Sequence, residues 1–155
     1  MKAGADYKTV FKRALRILAR RDHAKNELKT KLASKTQDIE VVDKVLDKLE
    51  ENGYLDDRAF AVKYLRYRSE LGFGPKKIFS EMKNKGIDEQ NIQESFDKFD
   101  SSWVELAKHV FQKKFGGIKD LEKNPKDHEK KIRFLAHRGF SYNDKIYLFA
   151  MYIVT

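Results

Sequence analysis

An all-α fold is what this sequence predicts, and three observations carry the prediction. Apolar residues recur at three- and four-residue spacing along most of the chain, the pattern of helices with one buried face. Proline is scarce, two in 155 residues, while glycine and aspartate fall where one apolar stripe ends and the next begins. The pattern also repeats. Leu28, Leu32 and Asp38 stand fifty positions before Ile78, Met82 and Asp88, and Met82, Gly86, Ile87 and Asp88 stand fifty-three before Leu135, Gly139, Phe140 and Ser141. The expected architecture is a tandem array of three three-helix repeats, residues 7–53, 54–100 and 101–155, stacked into an elongated, curved body because each set is too small to be secure alone.

The first expected helix, Tyr7 to Arg21, aligns Val10, Phe11, Ala14, Leu15 and Leu18. The second, Ala24 to Lys35, turns Leu28 and Leu32 inward. It lacks a capping hydroxyl at Ala24, an omission costing about 1 kcal/mol unless Asp22 or His23 substitutes. Asp38 caps a third helix that buries Val42, Val45, Leu46 and Leu49. The joint Gly53-Tyr54-Leu55-Asp56-Asp57 links the first repeat to the second and is the point around which the chain is organised. Gly53 suits the left-handed position that closes a helix, Asp56 and Asp57 suit the N-terminus of the next, and Tyr54 and Leu55 are placed to pack across the turn as a staple.

After the joint, a helix from Asp57 to Leu71 uses Phe60, Ala61, Tyr64 and Leu65, and Gly72-Phe73-Gly74 breaks it. Pro75 suits the first turn of a helix to Lys85 that buries Ile78, Phe79 and Met82. Gly86 ends that helix, and Asp88 caps another with Ile92, Phe96 and Phe99 inside. The third round opens with Ser101 to Phe115 on Trp103, Leu106, Ala107, Val110 and Phe111. A loop from Gly116 to Asp127 leads to a helix with Ile132 and Leu135, closed by Gly139. Ser141 caps a last helix with Ile146, Phe149, Ala150 and Ile153.

Composition narrows the function. The chain has no cysteine, so disulfides, thiolate metal sites and thiol nucleophiles are excluded. The longest apolar run, Tyr147 to Val154, is far too short to span a bilayer, and no apolar leader follows Met1. A cytoplasmic, monomeric protein is expected. His23, His109, His128 and His137 lack metal-ligand spacing, Asp56-Asp57 reads as a cap rather than a cation site, and Gly72-Phe73-Gly74-Pro75 lacks the lysine and spacing of a phosphate loop. No catalytic residue, metal or cofactor is indicated. Tyr64, Tyr67 and Phe79 are able to stack on bases, although Tyr64 and Phe79 match core positions better.

The charge plan is more informative. The formal net charge is +9, and its sign alternates along the chain: +8 over residues 1–37, −5 over 38–61, +5 over 62–86 and −4 over 87–100. The first two helices of the first and second repeats are basic and the third acidic, a plan that puts positive charge along one side and attracts nucleic acid or an acidic protein groove. Arg16, Arg20, Arg21 and Lys25 in the first repeat, Lys76 and Lys77 in the second, and Lys131, Arg133 and Arg138 in the third are the candidates for that edge by charge and repeat position. A helix-turn-helix that reads bases is disfavoured. The helix after Lys85-Gly86-Ile87-Asp88 carries Asp88, Glu89, Glu94 and Asp97, which would meet phosphates with like charge.

Ala14-Leu15-Arg16-Ile17-Leu18-Ala19-Arg20-Arg21-Asp22-His23, Glu27-Leu28, Lys31-Leu32 and Gly53-Tyr54-Leu55-Asp56-Asp57 with Phe60-Ala61 resemble the bacterial RecX regulatory family. So do Gly74-Pro75-Lys76-Lys77-Ile78 with Glu81-Met82, Lys85-Gly86-Ile87-Asp88, and Phe134-Leu135-Ala136-His137-Arg138-Gly139-Phe140-Ser141, in the same order. The resemblance implies tandem three-helix repeats that bind the RecA recombinase and its nucleoprotein filament. It also implies modulation or inhibition of recombinase activity, ATP hydrolysis and strand exchange in homologous recombination, DNA repair and the SOS response, with no enzyme activity of its own. The other class that the composition supports is a general, non-sequence-specific nucleic-acid-binding helical protein. Ala24 departs from the family's usual serine, and the chain's end is less basic than the family pattern implies.

Overall fold

The computed structural model describes residues 6–116 and 125–140. These residues form eight α-helices and, among the described residues, no strand: α1 (Tyr7–Arg20), α2 (Lys25–Ala33), α3 (Ile39–Glu51), α4 (Asp57–Glu70), α5 (Pro75–Asn84), α6 (Glu89–Asp97), α7 (Trp103–Phe115) and α8 (Pro125–His137). The repeat spacing holds: α2, α5 and α8 begin at Lys25, Pro75 and Pro125, and α3 and α6 at Ile39 and Glu89. The expected loop to Asp127 is thus shorter, because Pro125 opens α8 in the first-turn position that a proline tolerates. The helix expected after Ser141 lies outside the described residues.

The chain divides into two compact units, Met1–Lys63 with Met82–Asp97 and Tyr64–Glu81 with Lys98–Thr155. In the first unit, Val10 and Ala14 of α1 meet Leu28 and Leu32 of α2, the apolar face of α3 (Val42, Val45, Leu46, Leu49), and Leu55. Each fully buried leucine contributes about 2 kcal/mol of transfer free energy. In the second unit, Ala107, Val110 and Phe111 of α7 pack with Leu135 of α8 and with Phe140, and Trp103 stacks on Phe99 at 4.3 Å between ring centroids. The apolar positions expected from periodicity are those that lie inside.

The joint after α3 forms as anticipated with two differences. Gly53 has φ of 81°, and the Tyr54 and Leu55 amides both donate to the Leu49 carbonyl at 2.8 and 3.2 Å. This closure turns Leu55 into the core and Tyr54 outward, so the expected staple consists of Leu55 alone, with Tyr54 58% exposed. Asp56 caps α4 by accepting from the Ala59 amide at 3.1 Å. Asp57, expected to serve that same helix, instead reaches back to α2, where its Oδ1 accepts from the Lys25 amide at 2.8 Å. The capping hydroxyl missing at Ala24 is therefore replaced from thirty-two residues away, not by Asp22 or His23.

The corresponding helix of the next repeat is finished by backbone. At the start of α5 the Gly74 and Lys76 amides donate to the carbonyls of Arg138 and Gly139 at 2.7 and 3.0 Å. A Cβ at Gly74 would stand 2.5 Å from the Gly139 carbonyl carbon, so only glycine lets the two segments approach. The turn at Gly86 meets Asn26 of α2 in the same way, and the turn at Gly139 meets Lys77 of α5. In both units the turn that ends a repeat's second helix seats on the first turn of the previous repeat's second helix. The fifty-residue periodicity is thus also a periodicity of contacts.

Candidate functional site

Arg13, Arg16 and Arg20 are spaced three and four apart on α1, which puts them on one face together with Ile17. They line an open groove of about 700 Å³, closed on its other side by Arg21, His23 and Lys31. Among the described residues no carboxylate lines it. Like charges three and four residues apart on a helix cost a few tenths of a kcal/mol each, and among the described residues none of the three arginines is offset by an ion pair. Arg20 recovers part of that cost at the C-terminal turn of α1, where the helix dipole favours a cation. A cationic concavity without its own counter-ions is arranged to take an external anion, and arginine suits phosphate or carboxylate through its two-pronged geometry.

Two side chains of the groove are held from behind. Arg21 donates from both terminal nitrogens to the two carboxylate oxygens of Glu27, each at 3.1 Å, and Lys85 donates to the same carboxylate at 2.7 Å. Glu27 is 16% exposed at its side chain. Its pKa, raised by burial, is more than compensated by the hydrogen bonds from Arg21 and Lys85 and falls to about 2. Arg21 is therefore an anchor that ties the end of α1 to α2, with less freedom to meet a partner than Arg16 or Arg20. His23 is 3% exposed; its Nδ1 lies 3.0 Å from the Arg21 carbonyl and its Nε2 2.7 Å from the Lys31 ammonium. A carbonyl only accepts and an ammonium only donates, so the ring is neutral with its hydrogen on Nδ1. Burial, ahead of the nearby positive charges, holds the His23 pKa below the ordinary histidine value.

The other lysines of α2 are neutralised. Lys25 pairs with Asp47 and Glu50 at 3.3 and 3.2 Å, and Lys29 with Asp43 at 2.9 Å. The acidic third helix, which sequence reasoning places apart from the basic side, supplies these counter-ions. Lys25 consequently does not belong to the groove.

In the second unit Lys76 and Arg133 are exposed. Lys77 and Arg138 lie over the Phe73 ring at 4.8 and 4.9 Å, joined there by Arg68 at 3.9 Å. Arg68 also forms a two-pronged pair with Glu81 at 2.9 and 2.8 Å, and Tyr64 donates to the same carboxylate at 3.2 Å. That bond makes Tyr64 structural rather than a base-stacking residue. Lys131, a candidate for the edge by charge, is only 6% exposed, with its ammonium 5.5 Å from the Phe115 ring centroid. Its burial removes it from the surface set.

Arg16, Arg20 and Arg21, chosen by charge and repeat position, line one groove with Arg13 and Lys31 of the same basic cluster and with His23, which sequence reasoning did not place there. Arg13 is recoverable from its helical phase with Arg16 and Arg20. His23 is not, since its burial depends on tertiary packing. Among the described residues no group of three or more His, Cys, Asp or Glu side chains gathers into a metal site. No described helix is long and apolar enough to cross a membrane.

Tandem three-helix sets carrying a cationic groove define the class, an all-helical repeat protein. Comparison with known proteins gives the family. Residues 11–49 match the first three-helix domain of RecX and residues 56–95 the second, and the chain belongs to the RecX family of regulatory proteins. It is 35% identical over 132 residues to the regulatory protein RecX of Pseudomonas entomophila, covering 85% of this chain and 84% of the relative. It is 36% identical over 129 residues to that of Vibrio vulnificus, covering 83% of each. A crystal structure of regulatory protein RecX superposes with a TM-score of 0.75 at 25% identity, over 94% of this chain and 71% of that one. The crystal structure of RecX from Lactobacillus salivarius shares the fold, with a TM-score of 0.76 at 23% identity over 94% of this chain and 97% of that one.

Proposed function

We propose that this protein binds the RecA recombinase and its nucleoprotein filament in the cytoplasm and inhibits recombinase, ATPase and strand-exchange activity without chemistry of its own. In this reading the repeats are residues 7–53, 54–100 and 101–155, and Arg16, Arg20, Lys76 and Arg133 present cations to the filament's acidic surface and phosphates. The observation that carries it is the α1 arginine row facing a groove that, among the described residues, no carboxylate lines, beside α2 lysines already neutralised by α3. Charge that merely solvated the chain would have no reason to be sorted in this way. Membership of the RecX family supports the choice of partner.

The test is a titration of the protein into single-stranded-DNA-dependent RecA ATP hydrolysis. Reversing Arg13, Arg16 and Arg20 together to glutamate is expected to raise the half-inhibitory concentration by about tenfold or more, since three charge-assisted contacts are lost. Lys25→Ala, which removes an internally paired lysine, is expected to change it by less than about twofold. Undiminished inhibition by the triple variant, with helicity intact, would overturn the assignment. Binding to bare DNA that collapses with added salt and is unaffected by the recombinase would favour the general nucleic-acid binder.

A further inference from the structure

The groove contains a feature that recognition by arginines alone does not require: a buried neutral imidazole that holds one of the groove's cations. We propose that the α1–α2 groove binds phosphodiester anions in a proton-linked manner, with His23 as the positioning residue that keeps Lys31 against the wall when neutral and releases it into the groove when protonated. This rests on the proposed reception of external anions by the groove, and it adds the regulation of that site.

The geometry supplies the switch. Lys31 is an exposed residue of α2 whose ammonium is nevertheless drawn to the ring of a 3% exposed histidine, 2.7 Å away. The other ring nitrogen is fixed by the Arg21 carbonyl at 3.0 Å, so the imidazole cannot exchange its two faces without losing that bond. Adding a proton at Nε2 removes the acceptor and sets two cations against each other at hydrogen-bond distance. Lys31 must then leave, and the open groove that both residues line is the space beside it.

The surrounding charges decide when this happens. Arg21 from the connection and Lys31 from α2 oppose a proton on His23, and Arg13, Arg16 and Arg20 of α1 line the same groove. Glu27 is the carboxylate that favours it, yet Glu27 is already held between Arg21 and Lys85, the residue before Gly86. Asp22, the preceding residue, is paired with Lys63 of α4 at 3.4 Å. An empty groove therefore keeps His23 neutral. A phosphodiester seated among the arginines reverses the local field, favours the imidazolium and gains Lys31 as an additional donor. By linkage the same coupling means that protonation tightens the anion. For one added unit of charge some 8 Å from a phosphate near a protein surface, Coulomb's law with partial screening gives about a fivefold change in affinity.

The probe is a rhodamine-labelled twelve-residue oligothymidylate, whose phosphodiesters and bases do not titrate near neutrality, measured by anisotropy at constant salt without recombinase. Wild-type protein is expected to bind it about fivefold more tightly at pH 5.5 than at pH 7.5 beyond the slope shown by His23→Gln. Glutamine keeps an acceptor for Lys31 but cannot take up the proton. The exposed His109 and His137 contribute equally to both proteins and cancel in the comparison. Should the variant prove unstable, proton NMR of the wild-type His23 ring gives the reciprocal reading, a titration midpoint raised by the oligonucleotide. Equal pH slopes in folded wild type and variant, a midpoint unmoved by saturating oligonucleotide, or no binding at either pH would overturn the proposal. Since no recombinase is present, inhibition of RecA can fail or succeed independently of these results.

Discussion

Replacing Glu27 by glutamine tests the internal scaffold of the groove. The carboxylate accepts two bonds from Arg21 at 3.1 Å and one from Lys85 at 2.7 Å, so it joins the end of α1 and α2 to the turn at Lys85-Gly86. Its pKa falls from 4.5 to about 2, and a depression of that size corresponds to a ceiling of about 3 kcal/mol. Solvent reaches Arg21, whose side chain is 50% exposed, and screening reduces the expected contribution to about 1–2 kcal/mol. The sign comes from the direction of the shift. A depressed carboxylate binds fewer protons folded than unfolded, so its contribution is complete above pH 4.5 and is lost as pH falls toward 2. Urea unfolding of wild type and Glu27→Gln should therefore show a gap of about 1–2 kcal/mol at pH 6–7 that narrows below pH 4.5. A gap that stays constant from pH 6 to pH 3 would refute the ionic account, and one below ~0.3 kcal/mol at pH 7 would reduce the triad to a surface pair.

Asp57→Ala should destabilise the protein by about 1 kcal/mol in urea melts, because α2 has no other side-chain cap, and Ala24→Ser in that background should recover part of the loss. Recovery by serine would show that the cap rather than the charge of Asp57 is what matters. Gly74→Ala should cost about 2 kcal/mol or more, since its Cβ must displace the backbone at Gly139 and Phe140. Gly53→Ala, which meets nothing within 4 Å, should cost only the ~1 kcal/mol of a left-handed residue at φ of 81°. Equal melting-temperature losses for the two alanines would contradict the close approach at Gly74.

The helices are legible in the sequence because their information is local. Val42, Val45, Leu46 and Leu49 announce a buried face through phase alone, and Asp38 marks its start; the structure buries the four and bonds Asp38 to the Val41 amide at 3.3 Å. Gly53 is legible for the same reason, as a residue that closes a helix in a conformation disfavoured for others. Asp57 is not. From sequence it has the same claim on α4 as Asp56, and only the return of the chain past α2 decides which amide each carboxylate meets. Tyr54 and Leu55 differ likewise: both are apolar ahead of a cap, and the backbone closure onto Leu49 selects which one turns inward.

The same distinction governs the site. A sequence counts charges, whereas binding depends on charges left over after internal pairing, and that subtraction is tertiary. Lys25 and Lys29 cancel against Asp43, Asp47 and Glu50 because α3 packs beside α2, and Arg21 is committed to Glu27. Lys131 is covered, while Lys77 and Arg138 lie over Phe73. Around the groove this leaves Arg13, Arg16 and Arg20, with Lys31 held by His23. The alternating sign of the repeats therefore serves internal neutralisation in this unit: α3 packs on both α1 and α2, yet its carboxylates Asp43, Asp47 and Glu50 pair with the α2 lysines, and among the described residues none pairs with the α1 arginines of the groove.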